Sequence, residues 1–358
     1  MHKSILYKNI YYILMYVIEE LRDAKLREID MEKFKALNDL YAAIIINSME
    51  HVLNNGVLQE YRRADENTRQ PKGRVYVAES IEHGRYQNGI MGCRYYELAV
   101  DTDVNRVIKL AIKVLLKYTG SMIKDNASNL KLILSFLNKV KDVGVKDTDF
   151  RSIDTAPLSV DYKTAYYMSK LILEEFITKE NGGNRRIIEM EDTERMNKIF
   201  EKFVRNYFVI NYNSRYIRVG ARQFNGVETA HTIYNKSKTD ITIENRKNNR
   251  VVIIDTKWYK KILENNNRIN AANQRQIKDY VRDYMDNYGN KSTYITGILL
   301  YAKPNMKVDI DSVEKDYLSL KYYNGHEYAR IYTIVIDLES EFEDIKSKLD
   351  TIFIENVM

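Results

Sequence analysis

The chain has 358 residues, of which 44% are hydrophobic and 30% are charged, and its formal net charge is +6. This composition excludes an intrinsically disordered chain, and the length is sufficient for two ordinary domains with apolar cores. The modest positive charge permits nucleic-acid binding without requiring it.

The number of cysteines and the distribution of apolar residues indicate in which cellular compartment the protein is expected. Cys93 is the only cysteine, so an internal disulfide is excluded and we expect Cys93 to be a small core residue. Residues 1–18 are partly apolar, but Lys8 and Asn9 interrupt them, which is typical of an amphipathic helix rather than a signal peptide. No run of 18 consecutive apolar residues occurs, so we predict no membrane span and a cytoplasmic protein.

The first half of the chain is predicted to be mainly helical, with one β-hairpin. Apolar residues recur at helical spacing in five segments, and the predicted helices cover 6–22, 31–55, 104–118, 127–141 and 160–179. Two strands, Val57–Tyr61 and Lys72–Ala78, are predicted between the second and third helices.

A charged loop, Arg62–Gln70, is predicted at the tip of this hairpin. Arg62, Arg63 and Arg69 in this loop, with Lys72 just after it, are candidates for contact with a partner molecule. The alternative is a solvated hairpin tip, which is the more common role of such a run.

A domain boundary is predicted at Asn181–Arg186, where the sequence Asn-Gly-Gly-Asn-Arg-Arg forms a polar break between two periodic segments. It separates a first domain, 1–180, from a second, 186–358. The second domain is predicted to have a different pattern, with a helix at 191–208, strands near 215–220, 239–244 and 250–256, a helix at 269–286, strands near 293–301 and 329–336, and a closing helix at 339–353.

Two carboxylates and a lysine are predicted to meet in this second domain. Asp240 opens one strand, and Asp255 ends the next strand, whose β-branched run Val251–Ile254 is typical of burial on both faces. Lys257 lies two residues after Asp255, so both side chains project from one face of the strand. Carboxylate oxygens suit Mg²⁺ or Mn²⁺, and a nearby ammonium group can position water and offset phosphate charge.

Three further residues are candidates for the same site. Glu201 lies on the helix that precedes the strands, either as another metal ligand or water-positioning group, or as an exposed salt-bridging glutamate. Gln276 and Tyr280 are one helical turn apart on the following helix, on one of its faces.

These residues and their order resemble the PD-(D/E)xK nucleases. Asp255 stands at the (D/E) position and Lys257 at the lysine, and helix, three strands, helix, strand is the order of the core of that superfamily. Thr239 replaces the usual proline before Asp240. Gln276 and Tyr280 are similar to the Gln-x-x-x-Tyr element of RecB-like nucleases, which implies a helix beside the active site that contacts DNA.

The chain as a whole resembles the McrC family, the nuclease subunits of McrBC modification-dependent restriction systems. The matching segments are Asn9–Tyr12, Gly56–Gln59, Arg62–Arg63, Lys72–Arg74, Asn105–Lys109, Thr239–Ile243, Ile254–Lys257 and Gln276 with Tyr280. Thr256 stands where the family often has alanine, a change that we expect to leave metal ligation unaffected.

The resemblance implies an α+β amino-terminal domain, mainly helical with a β-hairpin, that binds and stimulates a partner GTPase. It implies an α/β PD-(D/E)xK restriction-endonuclease-like domain after it, with Asp240, Asp255 and Glu201 as metal ligands and Lys257 as the catalytic lysine. The implied partners are a hexameric AAA+ GTPase of the McrB type and double-stranded DNA that carries modified cytosine. In that arrangement Arg62, Arg63 and Arg69 are candidates for contact with the GTPase.

The resemblance also implies that GTP is bound by the partner and not by this chain. Gly289–Ser292 ends like a phosphate-binding loop but lacks its other elements, and Asn235–Lys238 has lysine where a guanine-specific motif needs aspartate. Two other functions remain open at this point. One is a catalytically idle activator or scaffold of an NTPase ring, and the other is a stand-alone DNA-repair nuclease.

Overall fold

The computed structural model describes residues 2–18, 34, 36–117, 122–144, 153–180, 193–224, 238–258, 263–264, 268–303, 314, 316–322 and 324–358. The helices are α1 His2–Val17, α2 Leu37–Asn55, α3 Val77–Glu82, α4 Asp103–Leu116, α5 Lys124–Phe136, α6 Val160–Glu180, α7 Thr193–Tyr212, α8 Ala271–Tyr288 and α9 Phe342–Val357. The strands are β1 Glu60–Thr68, β2 Arg74–Tyr76, β3 Met91–Ala99, β4 Ile217–Gly220, β5 Ile241–Asn245, β6 Arg250–Trp258, β7 Leu263–Glu264, β8 Arg268–Ile269, β9 Tyr294–Lys303, β10 Tyr317–Lys321 and β11 Glu327–Asp337.

The described residues divide into two compact units. One unit takes its residues from Met1–Asp23, Asp30–Leu37 and Ile188–Met358, and the other from Ala24–Ile29 and Asn38–Ile187. The predicted break at 181–186 lies outside the described residues. The units differ from the predicted boundaries at the amino terminus, because α1 packs against α7 of the second half.

The unit that contains the second half is built on a six-stranded mixed sheet in the order β10-β11-β9-β6-β5-β4. β9 runs parallel to both β6 and β11, and the other pairs are antiparallel. The predicted order of helix, three strands, helix and strand is confirmed as α7, β4, β5, β6, α8 and β9. The β7–β8 pair and strand β10 were not predicted; β7 and β8 have two residues each, and β10 is a five-residue, mostly exposed strand.

Helices cover both faces of this sheet, so β6 is buried along almost its whole length. On one face, Val251 and Ile253 share a core with Ile277 and Val281 of α8. On the other face, Trp258 contacts Phe200 of α7 edge to face. Successive residues of a strand alternate between faces, so Asp255 and Lys257 are on the α8 face and Thr256 is on the α7 face.

The other unit combines helices with a three-stranded antiparallel sheet in the order β1-β3-β2. The helix predicted at 104–118 from the spacing of its apolar residues is confirmed as α4, and its residues Val107, Ile108, Ala111 and Leu115 are all fully buried. α4 packs against α5 and α6, and Thr102 caps its amino terminus by accepting a hydrogen bond from the backbone of Asn105. Cys93 on β3 is buried, as predicted.

The predicted hairpin is wrong, because β1 and β2 do not pair with each other and β3 lies between them and pairs with both. The segment predicted as the loop Arg62–Gln70 is mostly strand β1, which pairs with β3 from Glu60 to Thr68. Cross-strand ion pairs such as Arg94 with Asp65 stabilise a strand whose charged sequence indicates a loop. The predicted strand Lys72–Ala78 is shorter, and α3 begins at Val77.

Among the helices that the structure describes, none is long and apolar enough to cross a membrane.

Candidate functional site

The site lies where β5 and β6 diverge. The last residue pair between these strands is Ile241 with Ile254, so Asp240 and Asp255 stand next to each other just beyond the paired region. The backbone N–H of Thr256 donates a hydrogen bond of 2.9 Å to Oδ2 of Asp240, and the hydroxyl of Thr256 donates another of 3.0 Å to the same oxygen. The predicted proximity of the two strand ends is therefore present in the structure.

Asp255 is the most unusual group in this region. Its side chain is fully buried, and neither of its oxygens accepts a hydrogen bond from any donor in the described part of the chain. Nζ of Lys257 lies 2.8 Å from Oδ2 of Asp255 as an ion pair, but not in hydrogen-bond geometry. Burial raises the pKa of Asp255 to about 7, and the charge of Asp240 adds to the rise while Lys257 opposes it.

Lys257 connects Asp255 to helix α8. Its Nζ donates a hydrogen bond of 3.0 Å to Oε1 of Gln276, and Nε2 of Gln276 donates one of 2.9 Å to the hydroxyl of Tyr280. Lys257 and Tyr280 are both buried, and burial raises the pKa of the Tyr280 hydroxyl. The structure thus brings together Asp255, Lys257, Gln276 and Tyr280 in one connected network.

Helix α7 approaches the same region from the opposite face of the sheet. The side chain of Asn197 accepts a hydrogen bond of 2.8 Å from the backbone N–H of Trp258, which fixes α7 to the end of β6. Glu201 is one turn further along α7 and forms an ion pair with Arg205. Burial, and then the charge of Asp240, raises the pKa of Glu201, which indicates that Glu201 and Asp240 are close enough to interact.

The carboxylates come together as a pair rather than as a trio. No group of three histidine, cysteine, aspartate or glutamate side chains converges to hold a metal within the described ranges. Glu201 therefore does not complete a three-ligand cluster with Asp240 and Asp255 in this arrangement. Its side chain is instead engaged with Arg205, as in the alternative of a salt-bridging glutamate.

A divalent cation fits the donor set at the strand ends. A buried carboxylate that accepts no well-aligned hydrogen bond and has one lysine beside it is only partly compensated for the hydration it loses, and a bound cation can supply the rest. Asp255 meets that description, and Asp240 adds a second hard oxygen donor beside it. Hard oxygen donors of this kind are those that Mg²⁺ and Mn²⁺ prefer.

Two residues that contact the site, Thr256 and Asn197, were not predicted. The presence of Thr256 in place of alanine was expected to leave metal ligation unaffected, and in the structure Thr256 donates two hydrogen bonds to Asp240. Asn197 lies four residues before Glu201, on the same face of the helix, and that spacing was the available signal for it.

The three candidate arginines on β1 and in the turn after it differ in their contacts. Arg62 is half-buried on β1 and forms an ion pair of 3.0 Å with Asp101. Arg63 is exposed and pairs with Asp65 at 2.8 Å. Arg69 is exposed in the turn after β1, and no ion pair joins it to another residue that the structure describes.

Comparison with known protein families identifies the class of this protein as a component of a restriction system. The model of the family described as McrBC 5-methylcytosine restriction system component matches residues 3–302, and the chain belongs to this family.

Two known proteins are similar over nearly the whole chain. The type IV methyl-directed restriction enzyme EcoKMcrBC of Escherichia coli strain K12 is 24% identical over 362 residues, which cover 94% of this chain and 97% of that protein. A chain in the refined half-complex from a tetradecameric assembly of Thermococcus gammatolerans McrB AAA+ hexamers with bound McrC is also similar. It shares 15% identity and a TM-score of 0.55 over 97% of this chain and 76% of its own length, a likeness in fold.

Proposed function

We propose that this chain is the endonuclease subunit of its restriction system and hydrolyses DNA phosphodiester bonds at the Asp240–Asp255–Lys257 site. The observation that carries the proposal is the buried carboxylate of Asp255, which accepts no hydrogen bond from the described residues and stands beside Asp240 and Lys257. The order of helix, three strands, helix and strand around it supports assignment of residues 186–358 to the PD-(D/E)xK fold.

Asp240 and Asp255 would hold Mg²⁺, or Mn²⁺ in its place. When bound, the ion supplies charge stabilisation for the scissile phosphate and lowers the pKa of a water molecule. Asp255 is held in place by its strand, because β6 pairs with β9 along its whole length and Asp255 lies opposite Leu299. Asp240 is held by its two hydrogen bonds from Thr256.

Lys257 would position the attacking water and offset negative charge on the phosphate. It is a single buried cation whose orientation is fixed by Gln276, and Tyr280 fixes Gln276 in turn. These two residues would orient α8 and contact the DNA backbone beside the site. A preorganised cation of this kind needs no reorganisation during the reaction, which is the property that makes such groups effective.

Glu201 would assist from α7. It interacts with Asp240 through its charge but is paired with Arg205, so positioning of water is better supported than direct ligation. A smaller effect on cleavage is therefore expected from Glu201 than from either aspartate.

A partner GTPase would complete the enzyme. The relatives are a methyl-directed restriction enzyme and an assembly of McrB AAA+ hexamers with bound McrC, which supports a hexameric McrB-type GTPase as the partner of this chain. Residues 1–180 would bind that ring and stimulate GTP hydrolysis, and the partner would bind the GTP. Modified cytosine in double-stranded DNA would be recognised by the partner, since the proposed nuclease site carries groups for phosphate rather than for bases.

The test is cleavage of a cytosine-methylated plasmid by this chain with its cognate GTPase, GTP and Mg²⁺. The wild-type chain is expected to cleave the plasmid, and the Asp255→Ala and Asp240→Ala variants are expected not to cleave it. Asp286→Ala, which removes an exposed aspartate of α8, is the matched control and should cut as wild type does. Equal cutting by wild type and Asp255→Ala would refute the assignment of the site.

A further inference from the structure

Thr256 contacts the proposed metal site directly, although sequence reasoning gave it no function there. It lies between Asp255 and Lys257 but on the opposite face of β6, and its side chain is fully buried. Both of its donor groups, the backbone N–H and the hydroxyl, bond to Oδ2 of Asp240, at 2.9 and 3.0 Å.

Asp240 needs such an anchor because it precedes the paired part of β5. Its strand begins at Ile241, so no ladder hydrogen bond to β6 fixes the residue itself. Two donors from one residue hold one carboxylate oxygen, Oδ2, and leave Oδ1 outside these bonds. A carboxylate held through one oxygen has a defined direction for the other, which is what ligation of a cation requires.

We infer that Thr256 is a positioning residue that orients the carboxylate of Asp240 toward the cation site through its hydroxyl group. This inference rests on the proposed nuclease function and adds a residue to it. The backbone N–H would remain with any side chain at position 256, so the hydroxyl accounts for one of the two bonds. Alanine at this position would keep the backbone bond alone.

The test is metal binding by the full-length chain, measured without its partner by calorimetric titration with Mn²⁺. Outer-shell substitutions typically weaken metal binding by about 10–100-fold. Because the backbone bond persists, we expect Thr256→Val and Thr256→Ala to weaken Mn²⁺ binding by roughly tenfold, the lower end of that range. Thr256→Ser keeps the hydroxyl and should bind within about twofold of wild type.

Controls separate a local effect from a general loss of structure. Thr296→Val removes the hydroxyl of another buried threonine in the adjacent strand β9, whose strand partner is Val252, and should leave Mn²⁺ binding unchanged. If Thr256→Val fails to fold, as judged by its thermal unfolding, the comparison of Thr256→Ala with Thr256→Ser decides. Unchanged Mn²⁺ binding in Thr256→Ala would overturn the inference.

The failure of this inference differs from failure of the proposed function. If Asp240→Ala and Asp255→Ala bind Mn²⁺ and cut DNA as wild type does, the site itself is wrong. If those two variants lose Mn²⁺ binding while Thr256→Ala retains it, the assignment of Asp240 and Asp255 to the metal site is supported and Thr256 has no positioning role.

Discussion

Lys257 links the carboxylate of Asp255 on β6 to Gln276 on helix α8. It forms an ion pair with Asp255 and a hydrogen bond with Gln276, and it is buried with both partners beside it. Lys257→Ala is expected to lower the initial rate of cleavage by about 10²–10³, which is the usual cost of removing a preorganised stabilising group. Rates measured with saturating partner and GTP provide the check, and a fall of less than threefold would contradict the role.

Asp101 is expected to make folding sensitive to acid. Hydrogen bonds from Arg106, more than any other cause, lower the pKa of this largely buried carboxylate to about 2 from its ordinary value of 3.8. A lowered pKa stabilises the folded chain above the ordinary value, and the stabilisation is lost as pH falls through the folded value. We therefore expect about 2 kcal/mol from this group at neutral pH, lost as pH falls from about 4 to 2.

Urea unfolding of wild type and Asp101→Asn checks this expectation. The variant should be about 2 kcal/mol less stable at pH 7, and the difference should shrink as the pH approaches 2. A difference between the two proteins that stays constant down to pH 2 would show that the carboxylate of Asp101 does not titrate as described.

Sequence reasoning located some site residues and missed others for a physical reason. The spacing of Asp255 and Lys257 follows from the strand period alone, so it was predictable from the sequence. Asn197 forms a hydrogen bond with Trp258, which is 61 residues further along the chain. Thr256 on β6 forms a hydrogen bond with Asp240, which directly precedes the adjacent strand β5. Contacts of this kind depend on how elements pack, and no local pattern reports them.

At the scale of elements, the amino terminus of α8 sets the position of the Gln276–Tyr280 pair. Asn270 caps this helix by accepting hydrogen bonds from the backbone N–H groups of Ala272 and Asn273, at 2.8 and 3.1 Å. Asn270→Ala should destabilise the chain by about 1 kcal/mol, because two amide groups lose their partner. Chemical denaturation measures this change in the free energy of unfolding. Asn270→Asp retains a hydrogen-bond acceptor and should have a free energy of unfolding close to that of wild type.

The elements were predictable where burial imposes a pattern. β6 carries a β-branched run because it is buried on both faces, and the helices carry apolar residues at helical spacing because each packs against a core. β1 was missed because its residues are mostly polar and exposed, and pairing with β3 rather than burial makes it a strand. The pairing of β1 and β2 with β3 could not be read from composition.

At the scale of the whole molecule, Arg62, Arg63 and Arg69 are expected to differ in how strongly they stimulate GTP hydrolysis by the partner. Arg62 and Arg63 are engaged with Asp101 and Asp65, whereas Arg69 is exposed and has no ion pair with another described residue. Arg69→Ala should therefore reduce stimulated GTP hydrolysis the most, since an arginine supplied in trans is worth about 10³ or more. GTP turnover by the assembled complex measures this, with Lys139→Ala as the exposed control.

If Arg62→Ala reduced stimulated GTP hydrolysis more than Arg69→Ala did, that result would contradict the ranking. Thermal unfolding of Arg62→Ala would then show whether the loss comes from the ion pair with Asp101 or from contact with the partner.

The most direct measurement records GTP hydrolysis and DNA cleavage together, in complexes of the partner ring with wild type and with Asp255→Ala. The nuclease account predicts that Asp255→Ala stimulates GTP hydrolysis as wild type does but leaves methylated plasmid uncut. Stimulation by both proteins with no cleavage by either would contradict it and favour a catalytically idle activator.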